Sequence, residues 1–261
     1  MAGRMKLEIA YYGRPFHGWQ RQRGQRTVQG ELEKALASLF GGRRVSVVGA
    51  GRTDAGVHAS GQVVHLEAPG PIPPDALVRG LNGRLPTEIR VRSADLVAAS
   101  FHACKSARGK LYTYRARWSA PTLPWRGLRS AEVPRLTDPG NFSTALELLS
   151  GRHDWASFTV PDPETASTIR TVFKVQLHQR QHGFILDFVG EGFLRYQVRR
   201  MVGALLEVGA GKRKLTDLQE LIDRPQPGAS IRTAPAGGLC LEHVYYRSCP
   251  WVTREQLETP S

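Results

Sequence analysis

A carboxylate stands in the middle of a glycine-rich stretch of the sequence, residues 49–66. Asp54 is flanked there by small residues, and Arg52 lies two positions before it. Glycine has no Cβ atom, so the backbone of such a stretch accepts positive φ angles and lets a large flat partner approach closely. A carboxylate displayed in this way is placed to act on a bound partner as a nucleophile or as a base.

Short β-branched runs enclose this stretch on both sides. Residues 45–48 precede it and residues 63–66 close it, and both runs are rich in valine. Such runs, bounded by glycine, are typical of half-buried strands. The sequence therefore predicts a strand, a tight loop that carries Asp54, and a second strand, with the loop held at both ends.

Two phosphate-binding motifs are excluded, and a structural role for Asp54 stays open. A dinucleotide-binding G-x-G-x-x-G motif would need glycine where Asp54 stands, and a carboxylate repels pyrophosphate. The segments Gly109-Lys-Leu111 and Gly211-Lys-Arg213 lack the hydroxyl residue that ends a G-x-x-x-x-G-K-S/T loop. The remaining alternative is that Asp54 caps a turn through its own side chain, which is a common role for Asp in glycine-rich turns.

Two tyrosines and an arginine in the second half of the chain are candidates for a catalytic or binding site. Tyr112 and Tyr114 alternate on a predicted strand and share one face, although core packing explains either tyrosine equally well. Arg199 lies beside the apolar stripe of a predicted helix. We therefore expect a half-buried guanidinium that faces a carboxylate, with a solvated helix face as the alternative.

Histidine and cysteine spacings predict no metal site. His178 and His182 have i, i+4 spacing, but Gln179 stands where a zinc protease has glutamate, and the segment is predicted to be a hairpin turn. Three cysteines are scattered without a C-x-x-C pair, so neither a disulfide framework nor a thiolate zinc site is indicated. These cysteines suit a reducing cytoplasm, and we expect neither an export signal nor a membrane segment.

Composition favours a polyanion as partner. The chain has 261 residues, of which 41% are hydrophobic, enough for one large domain or two moderate ones. Its net charge is +13, as in many proteins that bind nucleic acid, although a solvated basic surface is the alternative. Of the 36 basic residues 7 are Lys, so 36 − 7 = 29 are Arg, whose planar fork binds phosphate bidentately and stacks on bases.

Periodicity predicts the same plan in each half of the chain. In residues 1–104 the predicted order is β-α-β-β-α-β, with Thr27 as N-cap of the first helix and Gly41-Gly42 as its end. Residues 105–247 repeat this order with one extra helix, and residues 248–261 form a tail. The predicted elements of the second half are a strand at 111–118, a loop over 121–139, a helix from Asp138 or Asn141 to Gly151, a loop over 155–167, a hairpin of 169–177 and 184–189 closed around 179–183, helices at 194–208 and 215–222, and a strand at 239–246.

These two repeats predict an α+β fold. Two ferredoxin-like halves can join their strands into one mainly antiparallel sheet, with helices on one side and a central cleft. In that arrangement the Asp54 loop belongs to the N-terminal half, and Tyr112 and Arg199 belong to the C-terminal half.

Several segments resemble the TruA family of tRNA pseudouridine synthases. The strongest is Gly51-Arg-Thr-Asp-Ala-Gly-Val-His-Ala59, which is similar to the family signature, and the resemblance extends from residue 11 to about residue 246. Further segments in family order are Gly18-Trp-Gln-Arg-Gln22, Thr27-Val-Gln-Gly-Glu-Leu-Glu33, Leu81-Asn82, Leu85-Pro86, Ser100-Phe-His-Ala103, Lys110-Leu-Tyr-Thr-Tyr114, residues 193–203, and Ala234-Pro-Ala-Gly-Gly-Leu239. A local departure is Tyr196-Gln197, where many relatives have histidine or asparagine followed by methionine.

The resemblance implies the pseudouridine synthase fold and a cofactor-free and metal-free homodimer. Such an enzyme isomerises uridine to pseudouridine at positions 38, 39 and 40 of the tRNA anticodon stem-loop. By the resemblance, Asp54 is the nucleophile that acts on a flipped-out uridine, Arg52 fills the gap in the stem, Tyr112 stacks on the uracil and takes part in proton transfer, and Arg199 pairs with Asp54. Whether Asp54 attacks C1′ or C6, or abstracts a ribose proton, stays open.

Phosphate contacts are expected from arginines in the first loop and near the second helix. This set comprises Arg14, Arg21, Arg23, Arg26, Arg79 and Arg84. His58 and His102 are expected either to contact RNA or to shape loops. Such contacts predict binding that weakens steeply with salt.

Two other functions are kept as alternatives. An RNA-binding protein or chaperone of the same fold would retain the basic loops but would not need an ionised Asp54. Another enzyme acting on an RNA base or ribose, such as a zinc deaminase, is disfavoured because the chain lacks the H-x-E and P-C-x-x-C pattern.

Overall fold

A computed structural model of the chain describes residues 3–119, 127–163 and 165–247. The predicted tail, residues 248–261, lies outside the described residues, as does part of the predicted loop 121–139. Among the described residues, no helix has both the length and the apolar content needed to cross a bilayer. In chain order the strands and helices are β1 (Arg4–Tyr11), α1 (Val28–Leu39), β2 (Val48–Gly49), β3 (His58–Glu67), α2 (Pro74–Asn82), β4 (Ile89–Leu96), β5 (Gly109–Trp118), β6 (Ala131–Val133), α3 (Pro139–Glu147), β7 (Gly151–Asp154), β8 (Ile169–Arg180), β9 (Gly183–Gly190), α4 (Gln197–Gly209), α5 (Leu215–Asp223) and β10 (Leu239–Tyr245).

The chain divides into two compact units. The first contains the described residues up to Ala107 together with Cys240–Tyr246, and the second contains the described residues of Arg108–Leu239. The first unit has the predicted order β-α-β-β-α-β, and its strands run in the order β4-β1-β3-β10 with β2 beside β3. β1 is antiparallel to β3 and to β4, whereas β10 is parallel to β3.

The core of the first unit lies between one face of β1 and the two helices. Every second residue of β1, from Met5 to Tyr11, is at most 4% exposed, while the residues between them are half-buried. Leu32 and Leu36 of α1 are completely buried. α1 begins as predicted, because the Thr27 hydroxyl accepts a hydrogen bond from the backbone N–H of Gly30 at 3.3 Å.

The second unit is a sheet in the order β5-β9-β8-β7, with β6 beside β5. Its main pairs are antiparallel, and only β6 is parallel to its neighbour. Phe184, Leu186 and Phe188 of β9 are at most 3% exposed. α3 packs on this face through Phe142, whose ring centroid is 5.2 Å from that of Phe184. The predicted α+β class with mainly antiparallel strands is confirmed, because both units have this composition.

Four details of the second half differ from the prediction. β6 lies inside the predicted loop 121–139, and β7 follows α3 where no strand was expected. α4 begins at Gln197 rather than at residue 194, because Tyr196 has a left-handed backbone with φ +62°. β10, predicted as the last strand of the second half, pairs with β3 of the first unit. Strands of three or four residues leave no periodic signal, and a partner strand far along the chain is not encoded locally.

Two imidazoles fasten the segment that leads from β4 to β5. Nδ1 of His65 accepts a hydrogen bond from the N–H of Ala103 at 3.1 Å. Nδ1 of His102 accepts hydrogen bonds from the N–H groups of Cys104 and Lys105 at 3.2 and 3.1 Å. A ring nitrogen accepts a hydrogen bond only while it carries no proton. The hydrogen bonds that hold this segment therefore require that Nδ1 of each ring carries no proton.

We expect His65 to make the stability of the protein depend on pH. Burial lowers the pKa of His65 below its ordinary value of 6.5, and the neighbouring His102 and Arg4 act in the same direction. The unfolded chain therefore binds a proton that the folded chain does not. The stabilisation is complete above about pH 6.5 and is lost as the pH falls towards the folded pKa.

The substitution His65→Asn tests this expectation, because the Asn side-chain oxygen accepts the same hydrogen bond without titrating. Urea unfolding at about pH 7.5 and pH 5.5 should show a smaller loss of unfolding free energy in the variant than in the wild type. His17→Asn is the matched control, since His17 is an exposed histidine of the same unit. Equal losses in the wild type and in His65→Asn would contradict the assignment.

Candidate active site

The loop that carries Asp54 is tied to β3 where it leaves β2. The N–H of Ala50 donates to the carbonyl oxygen of Val63 at 2.7 Å. The side-chain amide of Gln62, which is completely buried, donates to the carbonyl oxygen of Gly51 at 2.8 Å. A buried amide is costly to leave unsatisfied, so this bond fixes the start of the loop to the strand.

Thr53, directly before Asp54, is held through its side chain and its backbone. Its hydroxyl shares a hydrogen bond of 2.8 Å with the hydroxyl of Tyr11, and its carbonyl oxygen accepts from the N–H of Trp19 at 3.0 Å. Burial raises the pKa of Tyr11, so its phenol stays protonated and this hydrogen bond persists. The residue next to the candidate nucleophile is thus fixed by two elements distant in sequence.

Asp54 itself opens a tight turn. The N–H of Val57 donates to the Asp54 carbonyl oxygen at 3.1 Å, and Gly56 has φ +80°, a conformation that favours glycine. The side chain of Asp54 is half-buried, whereas Arg52 and Ala55 are exposed. The carboxylate therefore lies at the boundary between the loop and solvent, as a group that acts on an external partner requires.

The first loop, residues 12–26, packs directly against this turn. A Cβ atom at Gly13 would lie 1.9 Å from the Val57 carbonyl oxygen, and one at Gly18 would lie 2.7 Å from the Thr53 carbonyl oxygen. Gly18 also has φ +84°. The two loops touch backbone to backbone on both sides of Asp54, an arrangement that only glycine allows at these two positions.

His58 and His102, which were predicted to contact RNA or to shape loops, both take part in holding loops. His58 is 1% exposed, and its Nδ1 accepts a hydrogen bond from the N–H of Gly13 at 3.0 Å. Its ring lies 4.9 Å from that of Tyr12. The structure thus places His58 beneath the two loops, where it braces the backbone, and His102 is half-buried against His65 with ring centroids 4.8 Å apart.

All the arginines predicted to contact phosphate in the first unit are exposed, and several are oriented by neighbours. Arg26 lies 4.6 Å from the ring centroid of Phe16 and 3.3 Å from Glu88, and Arg21 lies 3.4 Å from Glu33. Arg79 pairs with Asp75 at 2.7 Å. Exposure is the property shared by Arg14, Arg21, Arg23, Arg26, Arg79 and Arg84.

An open groove of about 720 Å³ begins beside α1. Arg21, Arg26, Lys34 and Arg44 line it, together with Glu31 and Glu33. The carboxylates orient the arginines, while the cationic side chains outnumber them. The groove therefore offers a polyanion a surface of net positive charge next to the first loop.

Tyr112 and Tyr114 lie on β5 of the second unit and share one face, as predicted. Tyr112 is 7% exposed, and its ring packs edge to face on that of Phe193 with centroids 5.4 Å apart. Tyr114 is completely buried, and its hydroxyl donates to the Pro235 carbonyl oxygen at 3.1 Å. Burial raises the pKa of Tyr114. Of the two tyrosines, Tyr114 is a core residue, while Tyr112 keeps a small exposed edge.

Arg199 lies in the first turn of α4 and is half-buried, as predicted. Its Nε donates to the carbonyl oxygen of Ala234 at 2.8 Å, and its own carbonyl oxygen accepts from the N–H of Ala234 at 3.0 Å. The guanidinium carbon lies 5.4 Å from the ring centroid of Tyr196. Two elements therefore set the direction of this side chain.

Sequence reasoning missed the residues that support these groups. Gln62 and Tyr11 brace the Asp54 loop, and Tyr196 and Arg200 brace the start of α4. Arg200 is 6% exposed and donates to the carbonyl oxygens of Thr159, at 2.8 Å, and Ala229. Gly13 and Gly18 in the first loop are the sequence signal that could have indicated close packing there. The supporting side chains give no such signal, because their contacts depend on residues far away in the sequence. In the described residues, no group of three or more His, Cys, Asp or Glu is arranged to hold a metal ion.

The chain is similar to known proteins along almost its whole length. A family model described as tRNA pseudouridine synthase matches residues 9–105 and 145–247. The chain is 39% identical over 249 residues to the tRNA pseudouridine synthase A of Lactobacillus helveticus (strain DPC 4571), with 94% of this chain and 95% of that protein covered. Proteins of the same name from Lactobacillus acidophilus and Leuconostoc citreum are 38% and 40% identical, covering 98% and 95% of this chain and 98% of each relative.

We expect Gly18→Ala to destabilise the protein more than backbone strain alone would, because the new methyl group also collides with the Asp54 loop. Gly24→Ala is the matched control, because Gly24 lies in the same loop with φ +74° but has no atom within 4 Å of a Cβ. Both variants lose roughly 1 kcal/mol to the left-handed backbone, and Gly18→Ala also forces its methyl group against Thr53. The unfolding free energy should fall by a further 1–3 kcal/mol or so in Gly18→Ala. Urea unfolding measures both, and equal losses would rule out the proposed contact.

Proposed function

This chain belongs to the tRNA pseudouridine synthase family, and we propose that it acts on positions 38, 39 and 40 of the anticodon stem-loop with Asp54 as nucleophile. As a member of that family it is an isomerase that converts uridine to pseudouridine in tRNA. The role of Asp54 is supported by its loop, in which the half-buried carboxylate lies between two points of backbone contact with the first loop. The positions in the tRNA are proposed from the resemblance to the family.

The reaction requires a group that attaches to the nucleoside and leaves again. The bond from C1′ to N1 of the uracil breaks and a bond from C1′ to C5 forms, while C5 loses a proton and N1 gains one. Nothing is oxidised or reduced, and the carboxylate is regenerated. We assign this role to Asp54, which attacks C1′ or C6. In the alternative route Asp54 acts instead as the base that abstracts a ribose proton.

A uridine paired in a stem must first leave the helix. Flipping it out costs a few kcal/mol of stacking and pairing. Arg52, exposed two residues before Asp54, is suited to occupy the gap that the base leaves. We assign Tyr112 to stacking on the extruded uracil and to proton transfer at C5, and Arg199 to pairing with Asp54, which keeps the carboxylate ionised.

The tRNA is held mainly through its phosphates. The net charge of +13, the exposed arginines of the first loop and the groove beside α1 support this part of the proposal. We further propose that the enzyme works as a homodimer in the cytoplasm, and that it uses neither a metal nor a cofactor. Crosslinking of the purified chain tests the first of these statements directly.

Asp54→Asn should abolish catalysis while the protein still folds and binds tRNA. The amide has the shape of the carboxylate but is a far weaker nucleophile, so the rate should fall by at least about 10³-fold. The measurement is tritium release from C5-labelled uridine in transcribed tRNA, made beside a filter-binding assay.

Asp95→Asn serves as its control, because Asp95 is an exposed carboxylate of the same unit that pairs with Lys6 at 2.9 Å. That variant should keep the wild-type rate. Full activity in Asp54→Asn would show that the assigned nucleophile is wrong. If the wild type released no tritium from any tRNA, the activity itself would be ruled out.

Arg23→Gln should weaken tRNA binding by removing one phosphate contact. The slope of log binding constant against log salt should become shallower by about 0.7 to 1, while the single-turnover rate at saturating enzyme stays the same. Arg224→Gln, an exposed arginine of the second unit, is the control and should keep the wild-type slope. An unchanged slope in Arg23→Gln would remove this residue from the RNA contacts.

A further inference from the structure

Tyr196 has an unusual backbone for a residue of its type. Among the described residues it is the only non-glycine residue with a positive φ, at +62° with ψ −2°. An L-residue with a Cβ atom is disfavoured in this left-handed region. Such conformations persist where the surrounding structure enforces them, and they cluster at functional sites.

The start of α4 enforces this conformation from several sides. The N–H of Arg200 donates to the Tyr196 carbonyl oxygen at 2.9 Å. The side-chain oxygen of Gln197, which is completely buried, accepts from the N–H of Leu194 at 2.8 Å. Arg200 in turn is anchored to the Thr159 carbonyl oxygen at 2.8 Å. The backbone before α4 is therefore held by contacts that do not involve the Tyr196 ring.

The Tyr196 ring lies against two guanidinium groups. The guanidinium carbon of Arg199 is 5.4 Å from the ring centroid, and that of Arg195 is 5.1 Å from it. Both distances are within the range at which the ring face attracts a cation. Because Tyr196 is half-buried and Arg195 is exposed, the contact with half-buried Arg199 is the less screened of the two.

We propose that Tyr196 is a positioning residue for Arg199. The left-handed backbone directs the ring to the guanidinium, and the ring and the Ala234 carbonyl oxygen together hold the guanidinium in one orientation. This inference rests on the proposed function, in which Arg199 pairs with the nucleophile. Loss of the ring removes one of the contacts that orient the guanidinium and widens its range of orientations, so the chemical step slows while tRNA binding is retained.

Three substitutions separate the ring from the backbone. Tyr196→Phe keeps both and should retain the single-turnover rate within about twofold. Tyr196→Gly and Tyr196→Ala both lack the ring, but only glycine accepts the left-handed backbone without strain. Both should lose about 5- to 30-fold in single-turnover tritium release at saturating enzyme, with tRNA affinity unchanged, although the glycine variant should unfold at higher urea than the alanine variant.

The outcome distinguishes this proposal from a purely structural role. If Tyr196 matters only through its backbone, Tyr196→Gly recovers the wild-type rate and Tyr196→Ala does not, which would overturn the proposal. Full activity in both variants would overturn it as well. Should either variant fail to fold, Tyr196→Leu, which keeps apolar bulk but has no ring face, replaces it with the same expected loss.

A double-mutant cycle supplies the control for the partner. In an Arg199→Lys background the loss of the ring should have a much smaller effect, since the guanidinium it holds is absent. Arg195→Gln removes the other cation near the same ring and should keep the wild-type single-turnover rate. Additive losses in the cycle would overturn the proposal, and a wild type that releases no tritium would overturn the proposed function and this inference with it.

Discussion

Backbone contact at two glycines is the constraint on which the candidate active site depends. Gly13 and Gly18 bring the first loop so close to Val57 and Thr53 that a methyl group at either position has no space. The carboxylate of Asp54 lies between these two contacts in the sequence. Main-chain atoms have fewer degrees of freedom than side chains, so the contact fixes the backbone of Asp54. Only the few torsion angles of its short side chain then decide where the carboxylate lies. A carboxylate that is positioned by the backbone returns to the same place in each turnover.

The buried polar groups beneath the loop make this arrangement specific. Gln62 reaches the carbonyl oxygen of Gly51, and in the sheet it stands opposite Ile9. A slip of one residue between β2 and β3, which pair Gly49 with Val64, would move Gln62 out of register with Gly51. The buried amide would then lose its acceptor, at a cost of roughly 1–3 kcal/mol. The polar contact thus favours the strand register that carries the Asp54 loop, and the hydrogen bond between the hydroxyls of Tyr11 and Thr53 holds the loop from β1.

The features that could be predicted from the sequence are those encoded over short distances. The alternation in β1, the cap at Thr27 and the glycines around Asp54 all depend on neighbours within a few residues, and the structure confirms these elements. Short strands such as β6 and β7 depend on distant partners and left no periodic signal. The same limit explains Tyr196, because nothing in its local sequence demands a left-handed backbone. The burial of His58 under the loops that it braces likewise depends on distant partners, so its residue type alone left contact with RNA and the shaping of a loop as alternatives.

The two charged groups assigned to the reaction are held by different means. Asp54 is placed by glycines that permit close approach, whereas Arg199 is held by an aromatic ring on a strained residue and by a carbonyl oxygen. A flexible guanidinium has many orientations, so fixing it requires contacts to the head group itself, and a short carboxylate side chain requires only a fixed backbone. In the routes in which Asp54 is the nucleophile, the same carboxylate must attack and then depart. Contacts that strongly stabilised the covalent intermediate would favour attack by Asp54 but would slow its departure. A carboxylate and a guanidinium that are rigidly positioned and only moderately attracted to each other therefore suit both steps.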